Sequence, residues 1–270
     1  MPMEYVYLSG AFVLGFIFSK ILSFYFKNKL DRDSAEKDFS HAVIHELRAH
    51  FTNLSWIFEK LTDKGVSAYT DDEYRALSLG RSTVSNANSL INDTLTALSV
   101  GRSEARFRYA LNDIGKILDN IVSEYQLVAR EKGIDLDYVA SRVPVPLFFF
   151  DSSQVYIALH DLVHNAIKYT QKGGRVEIFS TLDDGKVTVT IRDTGIGIPK
   201  DEIGKIFTKF FRATNAKKMH EEGSGLGMYI SKNIVARHNG NIKLQSREKE
   251  GTIVEVSLPL IQVEPKENKS

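Results

Sequence analysis

The chain opens with one continuous apolar stretch. From Tyr5 to Phe26 the residues are apolar, aromatic, small or hydroxylated, and Lys20 is the one charge among them. As a helix the stretch rises about 33 Å, against a hydrocarbon core of about 30 Å. A membrane-spanning helix fits it better than a secretory signal peptide, because it exceeds a typical apolar h-region and no basic residue precedes it. Lys27, Lys29 and Arg32 follow directly. Positive flanks stay inside, so the pattern predicts a single pass of the inner (plasma) membrane with residues 27–270 cytoplasmic. Ala11, Gly15, Ser19 and Ser23 recur every fourth residue. Such a strip allows two membrane helices to approach closely, or is ordinary membrane-helix composition.

Further on, the period becomes helical. Residues 31–63 hold neither Pro nor Gly and read as a helix, with Ser40, Val43, Leu47, Leu54, Ile57 and Leu61 marking a seam. With Leu47 at heptad position a, His45 falls at f, away from the seam, and Glu46 follows it. Asp63–Asp72, containing Gly65, reads as a turn. A second helix then runs to about Val100, repeating Leu77, Val84, Ile91 and Leu98. Two amphipathic helices joined this way predict an antiparallel hairpin. Its half-covered seam predicts that two copies pair into a four-helix bundle.

After Gly101 the pattern alternates between helix and strand. Asn112–Lys132 reads as a helix with Asn112 as N-cap, Ile134–Val139 as a strand and Ser153–Thr170 as a helix. Arg175–Thr181 and Lys186–Arg192 flank an Asp183-Asp184-Gly185 turn, a hairpin signal. Glu221–His238 is a glycine-rich turn running into a helix, and Ile242–Ser246 with Thr252–Leu258 forms a second strand pair. The predicted class is α+β: a transmembrane helix, a helical hairpin, then an α/β sandwich with helices on one face of a mixed sheet. The corresponding domains are 1–30, 31–101 and 106–260, with a polar tail at 261–270.

Charge and composition narrow the function. Thirty-five basic residues face 34 acidic ones for a net charge of +1, which argues against a nucleic-acid partner held by bulk charge. The absence of cysteine excludes disulfides, thiolate metal sites and cysteine nucleophiles. What is left is local. A solitary exposed histidine is ordinarily a solvated side chain, and a glycine-rich turn is ordinarily a turn. Here they occur in a particular order.

Phe39-Ser40-His41-Ala42-Val43-Ile44-His45-Glu46-Leu47-Arg48 resembles the H-box of the sensor histidine kinases of two-component systems. Four downstream segments resemble that family's nucleotide boxes, in the family's order. Asp161-Leu162-Val163-His164-Asn165-Ala166-Ile167-Lys168-Tyr169 resembles the N-box, and Asp193-Thr194-Gly195-Ile196-Gly197-Ile198-Pro199 the first glycine box. Ile206-Phe207-Thr208-Lys209-Phe210-Phe211-Arg212 resembles the F-box, and Gly223-Ser224-Gly225-Leu226-Gly227-Met228 the second glycine box. Asp151 and Gly251-Thr252 also match the family's spacing, so the resemblance covers residues 39–260.

The resemblance implies a homodimeric protein-histidine kinase with a Bergerat-type ATP-binding domain, ATP and Mg²⁺ as cofactors, and the receiver domain of a response regulator as partner. His45 becomes the phosphoacceptor, with Glu46 taking a proton from one ring nitrogen while the other attacks. His41, one turn earlier, lacks a following acid. Asp193 is suited to accept the adenine amino group, and Gly195 and Gly197 to let backbone approach the nucleotide. Asn165 offers a hard oxygen to Mg²⁺, Lys168 reaches phosphate, and Tyr169 lines the nucleotide. Gly223, Gly225, Leu226 and Gly227 turn backbone N–H groups and a helix N-terminus toward the phosphates. Lys209 and Arg212 belong to the F-box, and with Lys205, Lys217 and Lys218 they mark residues 198–223 as a mobile lid.

Four positions depart from the family's usual pattern. Ala49 stands where Thr or Asn often holds a water for dephosphorylating the partner, which predicts weak phosphatase activity. His50 stands where a kink-forming Pro is common. Asp161 replaces the more usual Asn at the first N-box position, adding an anion near the metal or a group that orients water. Lys209 replaces an Arg and loses its bidentate fork. Two other readings stay open: a nucleotide-gated dimeric regulator, as in gyrase-like or chaperone ATPases, and a pseudokinase scaffold without phosphotransfer.

Overall fold

The structure, a computed structural model, describes residues 34–63, 69–100, 107–220 and 223–260. The apolar stretch Tyr5–Phe26, its basic flank and the tail 261–270 lie outside the described residues, as do the side chains of His41, His45, Glu46 and Ala49. Among the described residues no helix is long and apolar enough to cross a membrane. The chain divides into two compact units, Met1–Glu46 and Leu47–Ser270. Helix α1 spans Ser34–Thr62 and helix α2 spans Asp71–Val100.

Within the second unit α1 and α2 pack antiparallel. The Asn88 amide donates to Phe51 O at 3.3 Å and Ser55 Oγ at 2.8 Å, and the Tyr69 hydroxyl donates to Leu61 O at 2.8 Å. A reciprocal capping box starts α2: Thr70 N donates to Glu73 Oε2 at 2.8 Å, and Glu73 N donates to Thr70 Oγ1 at 3.4 Å. Val84 and Ile91 of the heptad repeat are buried. On α1 the Phe51 carbonyl and the Ser55 hydroxyl meet α2, whereas Ile57 of the expected seam is 45% exposed and its neighbour Trp56 is 60% exposed. Within one chain the seam is thus only partly covered: Leu47, Leu54 and Leu61 are half-buried and Ile57 is exposed.

The remaining elements are β1 (Ala110–Asn112), α3 (Ile114–Lys132), β2 (Asp135–Val139), β3 (Phe148–Phe150), α4 (Ser152–Tyr169), β4 (Arg175–Asp183), β5 (Lys186–Asp193), α5 (Thr214–Met219), α6 (Gly227–Arg237), β6 (Asn241–Arg247) and β7 (Gly251–Pro259). A five-stranded sheet runs β2-β4-β5-β7-β6, parallel between β2 and β4 and antiparallel elsewhere, and β1 pairs with β3 separately. Alternate residues of the central strands (Val176, Ile178, Val187, Val189, Val254, Val256) are buried against Leu118, Ile121, Leu159 and Val163 of the covering helices. Each such side chain contributes about 1.5–3 kcal/mol of burial. A second cluster joins Ala97 and Val100 of α2 to Ala158, Leu226, Ile230 and Ile234. The end of the hairpin is thus built into the sandwich.

The N-cap of α3 is Asp113, not Asn112. The Asp113 carboxylate accepts from Gly115 N at 2.9 Å and Lys116 N at 3.4 Å. Asn112 instead ends β1, its amide donating to Phe150 O at 2.8 Å. Asp151 caps α4 through Gln154 N at 3.1 Å and also accepts from Arg108 N at 2.8 Å, holding the chain that follows the hairpin. Its own N–H donates to His238 Nε2 at 3.1 Å. That bond leaves the proton on Nδ1, which donates to Ile234 O at 2.8 Å. Burial lowers the pKa of His238 and keeps the ring neutral.

Candidate functional site

Helix α4 carries Asp161, Asn165, Lys168 and Tyr169 at helical spacing, and the glycine segments fold around its C-terminal half. Tyr169 O accepts from Ile196 N at 3.1 Å, and a Cβ on Gly195 would come 2.5 Å from that same oxygen. Gly197 has φ 61° and its missing side chain faces Arg247 O, so only glycine lets the turn close there. A Cβ on Gly223 would lie 3.4 Å from Lys168 Nζ and 3.6 Å from the Arg212 guanidinium carbon. N-box, F-box and second glycine box therefore converge on one point with two cations beside it, an arrangement suited to phosphate.

Asp193 ends β5, beside Gly195. Its Oδ1 accepts from Gly195 N at 2.8 Å and Thr252 N at 3.2 Å. Burial raises its pKa to about 6 in spite of those two bonds. A half-desolvated carboxylate with one oxygen committed to backbone is an acceptor suited to an exocyclic amine. Leu226 is fully buried between α2 and α6, while the hydroxyl of Ser224 donates to Asp93 Oδ2 of α2 at 2.6 Å. Burial raises the pKa of Asp93, and the bond from Ser224 opposes that rise. Lys209 sets its ammonium 4.8 Å over the Tyr229 ring of α6. Gly225, at φ 66°, lies against the backbone of Phe210 and Phe211.

The stretch expected to be a mobile lid contains a short 3₁₀ turn, Ile203–Lys205, and helix α5. Both ends of α5 are tied down. Thr214 N donates to Glu202 Oε2 at 2.8 Å, and the Asn215 amide donates to Gly197 O at 2.8 Å. At the far end His220 Nε2 donates to Lys168 O at 3.1 Å, and the Arg212 guanidinium donates to His220 O. Asn215, His220 and Asp93 carry no signal in the sequence, because each works through a partner distant along the chain. His45 and Glu46 lie on the helical backbone of α1 in the first unit, their side chains outside the described residues. Among the described residues no group of three or more His, Cys, Asp or Glu could hold a metal ion. Asn165 on α4 offers an amide oxygen, a hard donor of the kind that Mg²⁺ accepts beside the oxygens of a triphosphate.

Residues 150–262 match the family described as histidine kinase-, DNA gyrase B- and HSP90-like ATPase. The sensor protein kinase WalK of Staphylococcus aureus is 29% identical over 229 residues, 83% of this chain and 53% of that protein. The chain is a relative of the sensor histidine kinases. A WalK sequence from strain JH9 matches at the same identity with 36% of its length covered, so this chain spans about half or less of the curated relatives it matches. Among solved structures, full-length ShkA in complex with AMPPNP has a TM-score of 0.68 at 23% identity, covering 83% of this chain and 46% of that one. ThkA in complex with the response regulator TrrA has a TM-score of 0.57 at 19% identity, covering 84% and 64%. At these identities the structural likeness is one of fold, and it extends through the hairpin as well as the sandwich.

Proposed function

We propose that the chain is a membrane-anchored, homodimeric sensor histidine kinase that phosphorylates itself on His45 from Mg-ATP and passes the phosphoryl group to an aspartate of a response-regulator receiver domain. The observation that carries this reading is the convergence of Lys168 and Arg212 on Gly223, suited to phosphate, in a domain whose desolvated Asp193 carboxylate is suited to adenine and in a chain whose residues 39–48 resemble an H-box. In the transfer, a ring nitrogen of His45 forms a bond to the γ-phosphorus. The bond to the β-γ bridging oxygen breaks, its electron pair leaves on ADP, and the proton on the other ring nitrogen passes to Glu46. Lys168 and Arg212 balance the charge of the polyphosphate, so that catalysis is largely positioning and charge neutralisation. Asn165 would hold Mg²⁺ through its amide oxygen. A cation held there would supply charge neutralisation to the polyphosphate.

Anchoring by Tyr5–Phe26 with the kinase part cytoplasmic belongs to the same proposal, as does weak phosphatase activity at Ala49. A homodimer accords with Trp56, Ile57 and Leu79, which are large apolar side chains exposed on the hairpin. ThkA, a relative in fold, was crystallised with a response regulator, and that supports a receiver domain as partner here. The test incubates the full chain with γ-³²P-labelled ATP and Mg²⁺, beside His45→Gln and His41→Gln. Acid-labile, alkali-stable label is expected on the wild type and on His41→Gln and not on His45→Gln. Equal label on His45→Gln, or none on the wild type despite ATP binding, refutes the reading.

A further inference from the structure

Next to Asp161 on α4 stands His160, which no nucleotide box includes. Its Nε2 faces α3, with the Tyr125 hydroxyl at 3.0 Å and Glu124 Oε1 at 3.4 Å. Its Nδ1 faces Asp161 Oδ1 at 4.0 Å, an ion-pair separation rather than a hydrogen bond. Glu124 is itself held, its Oε2 accepting from the Tyr156 hydroxyl at 2.6 Å. The Tyr156 ring stacks on the imidazole at 5.4 Å and the His164 ring at 6.4 Å, while Tyr125 lies tilted at 5.3 Å. The ring is thus fixed between two carboxylates, one on each nitrogen. Asp161 foremost holds the pKa of His160 above its ordinary value, partial burial opposing and Glu124 adding to the rise.

Where Asp161 points gives this arrangement its consequence. A Cβ on Gly227 would come 3.2 Å from Asp161 Oδ2, and Gly227 opens α6, the helix whose N-terminus faces the second glycine box. A carboxylate therefore stands beside the expected polyphosphate, where the family more often has a neutral Asn. A second one, Asp93, lies close enough that Asp161 contributes to raising its pKa. An uncompensated negative charge there repels a triphosphate.

We propose that His160, as an imidazolium, is a positioning residue that neutralises and orients Asp161 so that the nucleotide site accepts a polyphosphate. His160 and Asp161 together do what a neutral Asn does alone. The groups facing the imidazole are Glu124 and Tyr125 from α3 and Tyr156, Asp161 and His164 from its own helix. This inference rests on the nucleotide-binding part of the proposed function and deepens it.

The experiment is a double-mutant cycle on the full chain, read as the Kd for Mg-ATP and for adenosine. His160→Gln alone is expected to weaken ATP about fivefold, a modest charge effect for a partly solvated pair, and to leave adenosine unchanged. In the Asp161→Asn background the same change is expected to alter ATP affinity by less than about twofold. His160→Lys, which keeps the positive charge, holds wild-type affinity and serves as the check should His160→Gln fold poorly. Equal losses in both backgrounds, equal losses for ATP and adenosine, or a weakened His160→Lys overturn the role assigned to His160 alone. A wild type that binds no ATP overturns the nucleotide reading beneath it.

Discussion

Replacing Asp193 by Asn should make the protein more stable and a poorer nucleotide binder at once. The carboxyl is raised from 3.8 to about 6 by burial, which costs the ionised folded state about 3 kcal/mol. An amide keeps the oxygen that accepts from Gly195 N and Thr252 N and has no charge to desolvate. The sign follows from the two titrations. The unfolded chain gives up this proton near pH 4 and the folded chain near pH 6, so between those values the unfolded state binds fewer protons. Wild-type stability therefore falls as pH rises through this window, and the loss is complete above about pH 6. Urea denaturation of wild type and Asp193→Asn at pH 4, 5, 6 and 7 should give curves that nearly coincide at pH 4. By pH 7 the variant should lead by about 2–3 kcal/mol. Mg-ATP titration of the same samples should show weaker binding by the variant at pH 7, since the amide presents a donor where the adenine amine needs an acceptor. A stability gap that does not change with pH, or a variant less stable than wild type at pH 7, refutes the reasoning.

Other outcomes follow from neighbouring features. Leu226→Ala removes a fully buried side chain from the cluster of Ala97, Val100, Ala158, Ile230 and Ile234, and thermal denaturation should show a loss of about 2–5 kcal/mol. The neutral, buried His238 works with pH in the opposite direction to Asp193. Its folded pKa is lowered, so the unfolded state binds more protons below about pH 6.5, and its contribution is lost as pH falls through the folded value. In urea denaturation the lead of the wild type over His238→Asn should shrink as pH falls below about 6.5, since the slope from Asp193 is common to both proteins and cancels in the difference.

Much of the fold was legible because it is periodic. The seven-residue repeat in the second helix, the alternation along Arg175–Thr181 and Lys186–Arg192, and the apolar stripe of α3 each state a face that must be buried. Elements fixed by a distant partner were not legible. Phe148–Phe150 is too short to show a period and exists because it pairs with Ala110–Asn112. Asn112 and Asp113 are both good capping residues, and the choice falls to whichever is not already held by β3. In α1 the apolar positions were legible as a seam, but which of them the second helix covers depends on α2, and Ile57 is left 45% exposed. At the site, the glycine boxes could be read because their chemistry is local to each segment. Asp93, His160 and His220 could not, since each acts on a box from another element or from just outside it.

The junction between hairpin and sandwich has a mechanical consequence. Val100 is buried against the sandwich and Arg108 is pinned to Asp151, so the hairpin is held to the sandwich both by packing and by the chain itself. If the hairpin's end undocks, the two parts stay covalently joined and therefore near each other. Docking and undocking are then intramolecular, and diluting the protein leaves their balance untouched. Among the described residues, the buried Ala97 and Val100 of the hairpin pack on Ala158, Leu226, Ile230 and Ile234, and the Ser224 hydroxyl donates to Asp93 across the same contact. Separating the two faces would uncover those small apolar side chains while the covalent link held, so the contact could re-form without a second molecule.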